Sequence, residues 1–159
     1  MVGIQLQDLE LALTERLGDG QHLWAMGRNQ GGVYNLGYHA EISLKYAYFR
    51  YSGLPITEII DLPLLRRVSQ AASIYGVTPT KNFHDLIFWK NILIGKRRFE
   101  SRPLTQMTEK GLHQSINVIS GIWEVEMRYS RPLLTTELAL NRAIEATDWL
   151  DCHLAELFL

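Results

Sequence analysis

Cysteine is nearly absent from this chain, since Cys152 is the single one among 159 residues. One cysteine cannot form an internal disulfide, which fits a protein of a reducing compartment, and Cys152 is predicted to be a small packed residue of a helix. No stretch approaches the about 20 apolar residues of a membrane span, and the first residues lack the basic start and apolar run of a signal peptide. We therefore expect a soluble cytoplasmic protein with no membrane contact.

Neither sign of charge is in excess. Lys and Arg number 16 and Asp and Glu 17, giving a formal charge of −1, so no overall field attracts a polyanion. Any contact with nucleic acid would need a local basic patch. Metal motifs are missing as well, because the five histidines show neither a helical His pair nor a Cys/His spacing. Glycine-rich phosphate loops are also absent, so no metal and no cofactor is predicted.

Helical spacing of apolar residues, in contrast, runs through the whole chain. At 159 residues and 47% hydrophobic content, the sequence suits one globular domain over 1–159. Nothing resembles a strand pair with a hairpin turn. The predicted fold is an all-α, up-and-down bundle of five or six helices in a single domain, without a sheet. The predicted helices are 5–17 (ended by Gly18-Asp19-Gly20), 33–51, 61–75 (N-cap Asp61), 82–94 (N-cap Asn82), 105–123 and 135 onward, with a polar connector at 95–103.

The segment 33–51 is the most informative of these helices. At about 100° per residue, one of its stripes is apolar and faces the core. A second stripe places Glu41 and Lys45 beside Tyr38, with apolar residues on both sides. A helix that is apolar nearly all round is usually the middle of a bundle, so this charged pair should be buried and should need further partners. The arc expected to face water holds Asn35, His39, Ser43 and Arg50.

Three segments, in order, resemble motifs of one family. Residues 36–50, LGYHAEISLKYAYFR, are similar to a Gly-Tyr-x-x-Glu-x-x-Leu-Lys helix, and residues 82–86, NFHDL, to a His-Asp-Leu helix start. Residues 123–129, WEVEMRY, resemble a Trp-x4-Arg-Tyr motif that precedes a last helix. The family is the HEPN superfamily (higher eukaryotes and prokaryotes nucleotide-binding), and the resemblance covers most of the chain from residue 33 onward.

The resemblance implies partners and an activity. HEPN bundles often form homodimers, sometimes act with a small nucleotidyltransferase in a toxin–antitoxin-like pair, and in many branches are ribonucleases. The nuclease branches carry Arg-x4–6-His on a late helix, which this chain lacks. Its one such spacing, Arg16 to His22, crosses the predicted break at residue 18, and this departure argues against nuclease activity. A homodimer is also suggested by an apolar tail of Leu154, Leu157, Phe158 and Leu159.

One polar cluster is predicted around Glu41 and Lys45. The resemblance places residues at helix ends beside the pair, among them His84 and Asp85, for which simple helix capping is the alternative. A buried network that fixes the helix register and a ligand-binding or catalytic site both fit the pattern. The predicted cluster comprises Tyr38, Glu41, Lys45, His84, Asp85, Arg128 and Tyr129.

A basic patch is the other candidate site. Phe99 lies among its cations and offers a stacking surface, so the patch could bind phosphates. A solvated basic loop is the alternative. The patch comprises Lys96, Arg97, Arg98 and Arg102, whereas Trp24, Trp89, Trp123 and Trp149 are expected in the core.

The function expected from these features is a non-catalytic, HEPN-like binding or accessory module. It would recognise a nucleotide, an RNA or a nucleotidyltransferase-type protein partner. The competing function is a divergent, metal-independent ribonuclease, with His84 as general base and Arg128 or Lys45 stabilising the phosphorane. A purely structural dimeric protein is the third interpretation.

Overall fold

Helices make up 75% of the computed structural model, which describes residues 3–125 and 137–159. The predicted all-α helical bundle is thereby confirmed. Within these two ranges, none of the helices combines the length and the apolar character required to cross a membrane. The helices are α1 (Leu6–Ala25), α2 (Asn29–Tyr51), α3 (Leu62–Ala71), α4 (Leu86–Phe99), α5 (Gln106–Ser120) and α6 (Glu137–Phe158), and the 3-10 turn Ala72–Tyr75 extends α3.

A two-stranded antiparallel sheet is also present, so the prediction of no sheet is wrong. Strand β1 (Ile4–Gln5) pairs with β2 (Ile59–Ile60). The pairing continues into α1, where Leu6 N donates to Glu58 O at 2.9 Å and Gln7 N donates to Ile56 O at 2.8 Å. The first amides of a helix have no partner within the helix. The segment just before β2 therefore satisfies two amides of the α1 N-terminus. The sheet was not predicted because two residues per strand are too few to show an alternating pattern.

Gly18 and Gly20 do not end α1, contrary to the prediction. The helix continues to Ala25, and Gly20 lies where α1 and α2 touch, since a Cβ atom at this position would come within 2.8 Å of the Leu36 side chain. Glycine inside a helix costs about 0.5–1 kcal/mol relative to Ala, but here its small size permits close packing. The neighbouring helix α2 also starts earlier than predicted, at Asn29.

The N-caps of α3 and α4 differ in how well they were predicted. Asp61 caps α3 as predicted, accepting a hydrogen bond from Leu64 N at 2.8 Å. For α4 the cap is Asp85 rather than Asn82, and its carboxylate accepts from Phe88 N at 3.0 Å. Both carboxylates satisfy an amide of the first turn, which is the usual function of Asp at this position.

The C-terminal end of α4 extends through the predicted connector to Phe99. Arg97 lies in this extension, and its side chain is buried and hydrogen-bonded. It donates from Nη1 to Leu157 O and from Nε to Arg102 O, each at 3.0 Å. The helical backbone continues where the sequence composition indicated a polar loop.

Helix α2 is the centre of the bundle. It packs against α1, α4, α5 and α6. As predicted, residues 33–51 lie in one helix, and the core stripe from Val33 to Ala47 is buried. The tryptophans also follow the prediction: Trp89 and Trp123 are buried, and Trp24 and Trp149 pack half-buried against the core.

The arc of α2 that was predicted to face water is instead covered by other helices. Asn35, His39 and Ser43 are all buried. His39 Nδ1 lies 3.0 Å from Leu13 O of α1, and Asn35 Oδ1 accepts a hydrogen bond from Arg16 Nη1 at 3.0 Å. Helix α1 therefore covers a side of α2 that a helical wheel shows as polar.

Two predictions about α6 are corrected by its packing. Leu157 is fully buried and Leu154 and Phe158 are half-buried, so the apolar tail is not the exposed patch on which the dimer prediction rested. Only Leu159, 73% exposed, extends into solvent from this tail. Cys152 is exposed rather than packed. The homodimer stays a prediction, which light scattering would test.

Candidate functional site

Two opposite charges lie buried side by side in the middle of α2. Glu41 and Lys45, one helical turn apart, are 3% and 9% exposed, so their predicted burial is confirmed. The Lys45 ammonium donates a hydrogen bond of 2.5 Å to Glu41 Oε1. A buried pair is stable only when its other polar atoms are also hydrogen-bonded. The second oxygen of Glu41 therefore needs a partner of its own.

His84 is the partner of that second oxygen. Its Nδ1 lies 3.0 Å from Glu41 Oε2, so His84 is near the pair as predicted. The side chain of His84 is 41% exposed, whereas that of Glu41 is 5% exposed. The imidazole ring therefore connects a buried carboxylate with the protein surface.

The charge state of Glu41 determines which ring nitrogen of His84 carries the proton. Burial raises the pKa of Glu41, but the hydrogen bond with His84 and the charge of Lys45 outweigh burial, so the pKa lies below its ordinary value. Glu41 is thus a carboxylate at neutral pH and can only accept hydrogen bonds. The proton must then be on His84 Nδ1, and in the neutral ring Nε2 is the acceptor.

A short loop before α4 holds His84 in position. Ser69 Oγ donates to Thr80 O at 2.6 Å and accepts from Thr80 N at 2.8 Å, which anchors the loop on α3. Asn82 Oδ1 accepts from His84 N at 3.0 Å, and the cap residue Asp85 follows directly. The capping interpretation of Asp85 is confirmed, because its carboxylate bonds the first turn of α4 rather than the Glu41 pair.

A cleft of about 420 Å³ opens beside His84. We call it the His84 cleft. Its volume lies within the range of about 300–1,000 Å³ that is usual for small-molecule sites. The cleft is lined by the polar residues Asn82, His84, Asp85, Ser120 and Glu124 and by the apolar residues Leu86, Ile87, Trp123 and Val125.

The wall that Trp123 forms in this cleft was not anticipated from the sequence. A Cβ atom on Gly37 would lie 2.0 Å from the Trp123 ring, so the indole packs directly on the α2 backbone. Its Nε1 donates to Tyr34 O at 3.2 Å. The Tyr38 ring contacts both Trp123 and His84, with centroids 5.6 Å and 6.3 Å away. A glycine inside a helix is the sequence signal for such a close approach.

Two members of the predicted cluster, Arg128 and Tyr129, lie outside the described residues. Among the others, Tyr38, Glu41, Lys45 and His84 come together, and Asp85 lies next to them as a helix cap. Within residues 3–125 and 137–159, no group of three or more His, Cys, Asp or Glu is placed to hold a metal ion.

The four residues of the predicted basic patch each have a partner within the protein. Lys96 bonds Glu100 at 2.5 Å, and Arg98 pairs with Glu109. Arg97 is buried against carbonyl groups, and Arg102 Nη2 donates to Leu159 O at 3.2 Å. Phe99 is 64% exposed. These side chains do not form one shared exposed surface, since Arg97 lies inside the protein.

Comparison with known proteins does not assign a family. No family model matches the chain, and searches of curated proteins and of solved structures return no match. The similarity to HEPN motifs thus remains a prediction from residues 36–50, 82–86 and 123–129.

Proposed function

We propose that the protein is a HEPN-like binding module that recognises a nucleotide at the His84 cleft and has no catalytic activity of its own. One observation carries the proposal: a half-exposed histidine, held by a buried and ionised Glu41, lies at the wall of a ligand-sized cleft. Fixed polar groups in a preformed cavity are typical of small-molecule sites. The hydrogen bond to Glu41 restrains His84 before any ligand arrives.

The lining of the cleft suits the base of a nucleotide better than its phosphate. Asp85 and Glu124 are carboxylates, which repel phosphate but can accept hydrogen bonds from the amino groups of adenine or cytosine. The amide of Asn82 can donate to and accept from the same base edge. Trp123 and Ile87 supply an apolar wall for the flat base.

His84 Nε2, the acceptor of the neutral ring, would then accept a hydrogen bond from a ribose hydroxyl at the mouth of the cleft. An RNA would bind through a terminal or unpaired nucleotide, whose base is free to enter. The nucleotidyltransferase-type partner and the homodimer are further proposals that rest on the resemblance alone.

A metal-independent ribonuclease is the second candidate, and one observation favours it. Because Nδ1 of His84 bonds a carboxylate, Nε2 has the orientation of a histidine general base. A cation is also needed to stabilise the developing phosphorane charge. The described lining of the cleft contains none, and Lys45 is buried and bonded to Glu41. Binding without cleavage therefore agrees better with the described residues.

The test is calorimetric titration with AMP, CMP, GMP and UMP, compared with the four nucleosides, on the wild type and on His84→Ala. We expect AMP or CMP to bind best, and His84→Ala to weaken binding about tenfold, as expected for the loss of one hydrogen bond. Bound nucleotide should also raise the unfolding free energy, by about 2.7 kcal/mol at 100 times the Kd.

The matched control is His113→Ala. His113 has nearly the same side-chain exposure, 42%, but does not line the cleft, so nucleotide affinity should be unchanged. The proposal is wrong if no nucleotide binds, or if His84→Ala and His113→Ala behave alike. Incubation with single-stranded RNA in EDTA tests the second candidate, because cleavage that is lost in His84→Ala would establish the enzyme instead.

A further inference from the structure

A second cavity of about 510 Å³ shares the loop that carries His84. Alternate residues of this loop line the two cavities, since Lys81 and Phe83 face the second one whereas Asn82 and His84 line the cleft. The other wall is formed by α3 through Arg66 and Ser69. We call this cavity the Arg66 groove.

The charge of the Arg66 groove is opposite to that of the His84 cleft. Its lining includes two cations, Arg66 and Lys81, and no acidic residue. Both side chains are exposed, and neither forms a hydrogen bond or an ion pair within the part of the chain that the structure describes. In contrast, the four cations at 96–98 and 102 each have a hydrogen-bond or ion-pair partner.

The groove is also fixed in shape. The two hydrogen bonds between Ser69 and Thr80, at 2.6 and 2.8 Å, join its walls. Trp89 Nε1 donates to Phe83 O at 3.0 Å, which holds the half-buried Phe83 from the core side. Phe83, Leu62 and Pro79 give the groove an apolar surface. A preformed site loses little conformational entropy on binding.

We propose that the Arg66 groove binds a small phosphate monoester that carries a flat aromatic ring. The planar guanidinium of Arg66 can bond phosphate oxygens in pairs, and Lys81 adds a second positive charge. The aromatic ring would lie on Phe83 and Pro79, because this surface is the apolar part of the lining. This site is separate from the His84 cleft and does not depend on nucleotide binding there.

Calorimetric titration with phenyl phosphate, inorganic phosphate and phenol tests the proposal on the full chain. We expect phenyl phosphate to bind more tightly than either fragment, because both the charge and the ring are needed. Arg66→Gln and Lys81→Gln should each weaken phenyl phosphate about tenfold, as expected for loss of a hydrogen bond to a charged group. Both residues are exposed, so both variants should fold.

Two controls localise the site. Arg67→Gln removes a neighbouring exposed cation of α3 that does not line the groove, so affinity should be unchanged. His84→Ala should also leave phenyl phosphate affinity unchanged. The proposal is overturned if phenyl phosphate does not bind, if inorganic phosphate binds equally well, if Arg67→Gln weakens binding as much as Arg66→Gln, or if His84→Ala abolishes it.

Discussion

Glu41 and His39 are two positions apart on α2, and both are buried with a pKa below the ordinary value, yet the two shifts have opposite meanings. For Glu41 a lower pKa keeps the charge, because the hydrogen bond with His84 and the charge of Lys45 outweigh burial. For His39 burial is the largest cause, and it favours the uncharged ring over the attractions of Leu13 O and Asp151. One helix therefore buries a paired charge on one side and a neutral imidazole on the other.

The difference follows from the partners that each side offers. Both oxygens of Glu41 have a hydrogen-bond partner at 2.5 and 3.0 Å. His39 bonds only through Nδ1, since its Nε2 has no hydrogen-bond partner among the described residues and lies 3.9 Å from Asp151 Oδ1. A buried charge is retained only where opposite charges and hydrogen bonds replace water. Burial alone therefore does not determine whether a side chain is charged.

Removing the carboxylate of Glu41 should have the largest effect. Glu41→Ala leaves Lys45 buried without its counter-charge, so we expect a loss of about 3–5 kcal/mol in the free energy of unfolding, measured by urea denaturation. Glu145→Ala, an exposed acidic residue on α6, is the control and should change stability by less than about 0.5 kcal/mol. A loss below about 1 kcal/mol for Glu41→Ala would instead indicate charges held under strain for a ligand.

The second prediction concerns pH and the His39 side of α2. The folded-state pKa of His39 lies below the value of 6.5, so on acidification the unfolded chain takes up this proton first. Stability should be complete above pH 6.5 and decline below it, with each unit of lowered pKa contributing about 1.4 kcal/mol.

His39→Gln, which does not titrate, should flatten the profile of unfolding free energy between pH 6.5 and 4.5. Glu41 acts in a different window, because its lowered pKa removes stability only as pH falls below 4.5. His113→Gln is the control, because the pKa of His113 is also lowered but its side chain is 42% exposed. A wild-type slope retained in His39→Gln would mean that other groups cause the decline.

The smallest effect is expected for His84. The side chain of His84 is half-exposed, and Glu41 still has its bond to Lys45 when His84 is removed. His84→Ala should therefore lower the free energy of unfolding by less than about 1 kcal/mol. A double-mutant cycle of Glu41→Ala with His84→Ala measures their coupling, which we expect at about 0.5–1 kcal/mol. Additive losses would mean that the 3.0 Å contact contributes nothing to stability.

The Glu41–Lys45 pair could be predicted because it depends on one helix only. The spacing places both charges between apolar arcs, and the pattern therefore indicates their burial before any neighbour is known. His84 was added to the cluster by resemblance, and its ring does lie 3.0 Å from Glu41. Neither source predicted the indole of Trp123 against Gly37, since that contact joins positions far apart in the chain.

The burial of His39 could not be predicted for a related reason. A helical wheel describes one helix, but the exposure of this arc depends on its neighbours: His39 contacts Leu13 O of α1 and lies 3.9 Å from Asp151 of α6. Both are tertiary contacts between residues far apart in the chain. Likewise, the burial of Arg97 depends on hydrogen bonds to the carbonyl groups of Arg102 and Leu157. Composition does not show these partners, and it therefore indicated a solvated loop.

The bond from Arg97 to Leu157 O has a consequence for local opening of the last helix. The final turn of a helix normally frays, and its amides then exchange with solvent faster than those of the core. Here a buried guanidinium on α4 holds that turn, and Leu157 itself is fully buried. The amides at the end of α6 should therefore exchange in deuterium oxide at the slow rate of the α4 core, opening with it as one cooperative unit.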